Sequence, residues 1–194
     1  SISPTPTIGG VGLIKNLNNM MTKDFKEVDN HIIVVGKTTG HLFQSEFFRE
    51  IIKFHEGPPP KINLFNEKNN GLSLLDLISK KLIKSAHDVS SGGILVSLCE
   101  MCRSNSIGVK IKIPNGGINA HEYFFGEDQS RYLIEVDKKN INEVCNILNK
   151  NSVYYEMLGK TQKDIFSIVN EFNIKINELN KLSSQWFKNY YEES

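Results

Sequence analysis

SAHDVSSGGILVSLCEMC, residues 85–102, joins a polar turn to an apolar helix through a pair of glycines, and the rest of the chain is read outward from it. The turn carries His87, Asp88, Ser90 and Ser91. After Gly92-Gly93, Ile94, Leu98 and Cys102 stand four apart with Leu95, Cys99 and Met101 beside them. That spacing buries one face of a helix and leaves Glu100 and Arg103 in water. The helix therefore begins at the glycines, where its first N–H groups have no intrahelical partner and the missing side chains let another group come close. Two readings fit. One is an anion site, to which a helix terminus contributes about 0.3–1 kcal/mol. The other is a capped helix packed too closely on its neighbour to admit a Cβ.

The chain has 194 residues, 39% of them hydrophobic, which suffices for one large domain with a real core. Its 23 basic residues nearly cancel the 22 acidic ones, and neither sign collects in a long run. The phosphate backbone of a nucleic acid is thus not an expected partner, whereas a nucleotide-sized anion is compatible with the sequence. No apolar stretch approaches 18 residues and the first residues lack a basic segment followed by an apolar one, so neither a membrane span nor a signal peptide is expected. This points to the cytoplasm. The three cysteines, Cys99, Cys102 and Cys145, suit reduced core thiols better than a disulfide framework.

In chain order, residues 1–14, SISPTPTIGGVGLI, form a lead-in stiffened by Pro4 and Pro6 that turns at Gly9-Gly10 into a short apolar strand. An opening this rigid reads as the middle of a longer polypeptide. Ile32 to Val35 is an uninterrupted β-branched run, the pattern of a strand buried on both faces. Ser45 to His55 sets Phe47, Phe48, Ile51 and Ile52 at helical spacing, closed by Gly57 and Pro58 to Pro60. A second helix is expected to open at Asn70-Gly71, with Ser73 and Asp76 at capping-box spacing and Leu74, Leu75, Leu77, Ile78 and Leu82 inward. Further strands are expected at Val109–Ile113, Tyr132–Val136, Val153–Leu158, Ile165–Val169 and Phe172–Ile176. A helix is expected from Lys138 to Lys150 with Ile141, Val144, Cys145 and Leu148 inward. A terminal helix, residues 177–193, carries a stripe of Leu179, Leu182, Trp186 and Tyr190. This is one α/β (α+β) domain, a mixed β-sheet flanked by helices, over residues 1–194. Every apolar face is expected to find its partner face inside the chain.

Several motifs fail on their own chemistry. Gly36-Lys37-Thr38-Thr39 imitates the end of a P-loop, but His31 stands where the earlier glycine would be needed. Gly9-Gly10-Val11-Gly12 precedes its strand and lacks dinucleotide-fold spacing. Cys99 and Cys102 have no second pair for zinc.

Three segments read together carry a resemblance: SISPTPTIGGVGLI at 1–14, SAHDVSSGGI at 85–94 and FFGEDQSRYLIEV at 124–136. In order and spacing they resemble the last domain of the phosphoribosylformylglycinamidine synthase family, whose members read close to PTPVIGGVGLI, SAHDVSDGGL and LFGESQSR there. The likeness runs from end to end and includes Gly40-His41-Leu42 to Glu46 and Gly57 to Pro60. The wider superfamily includes aminoimidazole ribonucleotide synthetase, and the domain is expected to have its C-terminal type of fold.

The resemblance implies an ATP-dependent carbon–nitrogen ligase of purine biosynthesis. It phosphorylates the amide oxygen of formylglycinamide ribonucleotide and lets glutamine-derived ammonia displace the phosphate. It implies ATP and magnesium as cofactors of the full enzyme, and as partners the preceding domains, a glutaminase subunit and a small accessory subunit. The catalytic histidine, the magnesium carboxylates and the nucleotide-binding segment would precede Ser1, so the fragment is expected to be inactive alone, with no catalytic residue and no metal ligand of its own. By the same resemblance Glu127, Asp128 and Gln129 occupy the positions of a substrate-contacting element, with Asp128 replacing the usual serine. Arg131 can grip a ligand bidentately or pair with Glu127. With Gly92, Gly93, His87 and Asp88 these are the candidate substrate- or nucleotide-binding residues. The alternatives are a purely structural module, whose polar turns pack on the preceding domain, or the C-terminal domain of a related ATP-using enzyme of the superfamily.

Overall fold

The computed structural model describes residues 7–113 and 117–192. The stiffened lead-in at Pro4 and Pro6, the turn at residues 114–116 and the side chain of Trp186 lie outside the described residues. Strands β1 (His31–Val35), β2 (Ser85–Asp88), β3 (Ile107–Ile111), β4 (Tyr132–Val136), β5 (Tyr155–Lys163), β6 (Ile165–Ile168) and β7 (Phe172–Lys175) form one sheet. Its order is β2-β4-β1-β5-β3-β6-β7. Neighbours are antiparallel except β3 and β6, which run parallel. The helices are α1 (Leu64–Ser79), α2 (Gly93–Cys102), α3 (Ala120–Phe125), α4 (Ile141–Lys150) and α5 (Ile176–Glu192).

The sheet is mixed and flanked by helices, as its alternating elements lead one to expect. Strand β1, inside the sheet between β4 and β5, shows why. In β1 the side chains alternate between faces, so Ile32 and Val34 join one apolar cluster with Ile94, Leu98 and Met101 of α2 and Phe124 of α3. Ile33 and Val35 join the other, with Leu77 of α1 and Val144 and Leu148 of α4. Each such fully buried aliphatic chain contributes about 1.5–3 kcal/mol. A continuous apolar run is thus the signature of a strand covered on both sides.

Other elements depart from expectation. The lead-in after Gly9 forms no strand, and Ile8, Val11 and Leu13 stand exposed. Nor does every apolar face find its partner within the chain, because Leu64, Leu72 and Leu75 on α1 are exposed as well. The segment expected as a helix from Ser45 is a π-helical turn, Phe47–Ile52, that ends with Lys53 at φ 59°. Aromatic packing sets its shape: Phe47 stacks on Phe125 with centroids 4.7 Å apart, and Phe48 meets Phe54 edge to face. Helix α1 starts at Leu64, because Asn63 caps it by accepting from the N–H groups of Phe65 and Asn66, each at 3.1 Å. Ser73 and Asp76 are therefore no capping box. Ser73 is buried under Asn151, and Asp76 pairs with Lys80 at 2.7 Å. Strand β5 runs five residues further than the expected end at Leu158, reaching Lys163 between β1 and β3.

Residues 85–88, expected as a polar turn, are edge strand β2. The reason is a residue the pattern did not single out. Glu135 in β4 is fully buried. It accepts from Ser85 Oγ at 2.9 Å, Asn30 Nδ2 at 2.7 Å and the backbone N–H groups of Lys26 and Glu27 at 2.9 and 3.0 Å. Four donors satisfy a carboxylate that would otherwise be very costly to bury.

Candidate functional site

Strand register brings the polar segments together. Val35 at the end of β1 and Asp88 at the end of β2 both oppose Tyr132, the first residue of β4. The segments after β1, after β2 and before β4 consequently emerge at the same end of the sheet. There they line a cleft of about 340 Å³ with Phe43, Asp88, Ser90, Ser91, Glu127, Asp128, Gln129 and Arg131 among its walls. A second cleft of about 520 Å³ adjoins it and shares Phe43, Pro60, Asp128, Gln129 and Ser130. Lys37 and Lys61 belong to this second cleft.

Most of the expected site residues meet here, but their polar atoms are engaged with the protein itself. Arg131 is 1% exposed. Its guanidinium donates to Asp128 O at 3.2 Å, Thr38 Oγ1 at 3.2 Å and Gly126 O at 2.5 Å. Its ionic partner is Asp128, at 3.8 Å, and not Glu127. The Asp128 carboxylate accepts from the N–H groups of Thr39 and Gly40, both at 3.0 Å, of His41 at 3.4 Å, and from the Thr39 hydroxyl. Burial by itself would push this carboxyl up. The Thr39 donors and the Arg131 charge outweigh it and hold it below the ordinary aspartate range.

Glu127 joins the opening stretch to the loop after β1. One of its oxygens accepts from the N–H groups of Gly92 and Glu46, each at 2.8 Å. The carboxylate over the start of α2 is thus the protein's own. Gly93 explains the second glycine: at φ 69°, a Cβ would stand 2.6 Å from Phe124 O and 2.8 Å from Gly126 O. Close packing of α2 on the end of α3 accounts for that position. His87 lies apart from the cleft walls. Its Nδ1 is 3.1 Å from Asp88 and its Nε2 is 2.8 Å from Glu100, which also takes Lys23 Nζ at 2.8 Å. Gln129 is exposed at the junction of the two clefts, the best placed of these residues to touch a ligand.

Sequence reasoning missed the loop after β1 as a wall of the site. Gly36-Lys37-Thr38-Thr39 is no P-loop, yet it delivers Thr38 and Thr39 to Arg131 and Asp128. The signal available was its glycine-rich, hydroxyl-rich composition directly after a buried strand. The three cysteines are free thiols, and burial pushes Cys99 up to about 12, which leaves it unreactive. Among the described residues no group of three His, Cys, Asp or Glu is placed to hold a metal ion. No helix among the described residues is long and apolar enough to cross a membrane.

The sheet, its helices and this cleft define a known class of domain. Residues 27–169 match the family described as AIR synthase related protein, C-terminal domain, and the chain belongs to that family. It is 51% identical over 191 residues to phosphoribosylformylglycinamidine synthase subunit PurL of Pelagibacter ubique, covering 98% of this chain and 26% of that protein. It is 38% identical over 189 residues to the same subunit of Azorhizobium caulinodans, with 97% and 26% covered. The chain therefore spans about a quarter of the length of these relatives. Among solved structures, Thermotoga maritima PurL complexed with FGAR superposes with a TM-score of 0.74 at 13% identity, covering 84% of this chain and 30% of that one. Thiamine-monophosphate kinase from Stenotrophomonas maltophilia superposes with a TM-score of 0.51 at 13% identity, covering 76% and 52%. At such identities the likeness is one of fold.

Proposed function

We propose that the chain is the last C-terminal-type domain of a PurL-type phosphoribosylformylglycinamidine synthase. The full-length protein would convert formylglycinamide ribonucleotide, with ATP and glutamine-derived ammonia, to the amidine in purine biosynthesis in the cytoplasm. The observation that carries this reading is 51% identity sustained over 98% of the chain. The domain itself supplies no catalytic side chain. Its contribution is the wall formed by Asp88, Glu127, Asp128, Gln129 and Arg131, with Gly92, Gly93 and His87 fixing the loop behind it, and this wall would face substrate or nucleotide. ATP bound by the full enzyme supplies the phosphoryl group that activates the amide oxygen. The carboxylates here do not suit magnesium, since one oxygen of Glu127 and both oxygens of Asp128 already accept from backbone donors. Magnesium would be held by the preceding domains. Partners would be those domains, a glutaminase subunit and a small accessory subunit, in keeping with a Thermotoga maritima assembly described as PurLQS.

The inward engagement of Glu127, Asp128 and Arg131 favours a second reading, in which the domain is a structural module that binds no small molecule. Calorimetric titration with ADP and magnesium separates the two. Heat from a longer chain that restores the preceding domain, and none from this chain alone, is expected of a shared site. Heat from neither leaves the structural module. Absence of amidine formation by the full-length protein supplied with ATP and ammonia would overturn the assignment.

A further inference from the structure

Three consecutive backbone N–H groups, those of Thr39, Gly40 and His41, converge on one pair of carboxylate oxygens together with the Thr39 hydroxyl. The loop achieves this by placing Gly40 at φ 81°, and successive amides curved in this way form a concavity suited to an anion. A guanidinium completes the set, since Arg131 Nη1 lies 3.8 Å from Asp128 Oδ2 and its side chain is fully buried. Such a collection of donors around one anion is what a protein uses to hold a phosphate dianion. A second set of amides, those of Gly92 and Glu46, is closed in the same way by the neighbouring Glu127.

We propose that Asp128 is the resident anion of this nest and bars phosphate from the inner end of the cleft. A phosphate would need the same amides, the same hydroxyl and the same guanidinium, and it would meet the negative charge already there. What remains for a ligand in the smaller cleft is neutral or acidic: Gln44, Ser90, Ser91 and Gln129, with Glu67 and Asp88 at its walls. The ligand portion that fits is an uncharged hydroxyl- or amide-bearing group, while anionic groups fall to the side of Lys37 and Lys61 in the adjoining cleft. Asp128 is in this sense a specificity-determining residue. The inference rests on the cleft being a ligand site, as proposed above, and its test needs no ligase activity, so failure of either idea is seen separately.

The experiment compares thermal melts of the 194-residue chain and of Asp128→Ser in rising inorganic phosphate, against sodium chloride of equal ionic strength. An anion that binds the folded state raises the melting temperature with its concentration. The expected result is a small phosphate-specific shift for the native chain, from the side of Lys37 and Lys61, and a clearly larger one for Asp128→Ser, corresponding to at least tenfold tighter phosphate binding. Asp128→Asn, which keeps the shape and removes the charge, should shift in the same direction. Equal shifts in the native chain and the variants would overturn the proposal. So would folded variants that ignore phosphate, or variants that stay unfolded at every phosphate concentration, since replacement of the resident anion is the claim.

Discussion

At the scale of single residues, the Asp128–Arg131 pair carries most of what can be tested. The Asp128 carboxyl is buried, which by itself raises it, yet the Thr39 donors and the Arg131 charge bring it below the ordinary value of 3.8. A carboxyl lower in the folded than in the unfolded state adds stability that is fully present above the unfolded value and is lost as pH falls through the folded one. The stability difference between the native chain and Asp128→Asn is therefore expected to be flat from neutral pH down to about 5 and to shrink below 3.8, as read from urea melts across the range. Arg131→Met should cost about 3–5 kcal/mol at pH 7, because it leaves Asp128 buried without its cation. Arg131→Lys should recover little of this. One ammonium cannot reach Asp128 O, Thr38 Oγ1 and Gly126 O in the directions the guanidinium does.

At the scale of elements, two joints hold the cleft in place. The start of α2 lies on the backbone that ends α3, so Gly93→Ala meets carbonyl oxygens at 2.6 and 2.8 Å in a backbone conformation that L residues rarely adopt. The expected loss is about 2–5 kcal/mol from strain and overpacking together, measured by denaturant melts, with no gain or loss of phosphate affinity. The second joint is Glu135, which ties the segment at residues 26–30 and strand β2 to β4. Glu135→Gln keeps one acceptor but turns an amide donor toward two of the four donors. A loss of about 1–3 kcal/mol and faster proteolysis at residues 22–30 are expected. Strands β1 and β4 and helices α2 and α4 were legible in the sequence because their burial follows one period: Ile32–Val35 covered on two faces, Ile94, Leu98 and Cys102 on one. Strand β2 was not, since its burial depends on Ser85 reaching a carboxylate 50 positions away. The beginning of α1 was hidden because Leu64 and Phe65 there are exposed. The site was legible as two polar concentrations and not as a mechanism. Glu127 and Asp128 find their donors in backbone amides 81 and 88 positions away, and nothing in side-chain pattern announces a backbone amide.

At the scale of the whole molecule, the chain has two kinds of apolar surface with opposite expected behaviour. The two core clusters share the central sheet, β1 contributing Ile32 and Val34 to one and Ile33 and Val35 to the other, so neither can open without exposing the other. The isolated chain is therefore expected to melt in one cooperative transition, with calorimetric and van't Hoff enthalpies in agreement. It is also expected to form no amidine, since the function proposed above assigns this domain no catalytic side chain. Ile8, Val11 and Leu13 belong to neither cluster and are at least 90% exposed. Replacing all three by serine should move the stability of the isolated chain by no more than about 0.5 kcal/mol, the range of surface substitutions that touch nothing. Leu77→Ala, by contrast, empties a site that is 0% exposed and should cost about 2–5 kcal/mol. Urea melts of the two variants beside the native chain decide the matter. A large loss from the serine substitutions would mean that the lead-in packs on the domain, and two resolved transitions in the native chain would mean that the faces of the sheet fold as separate units.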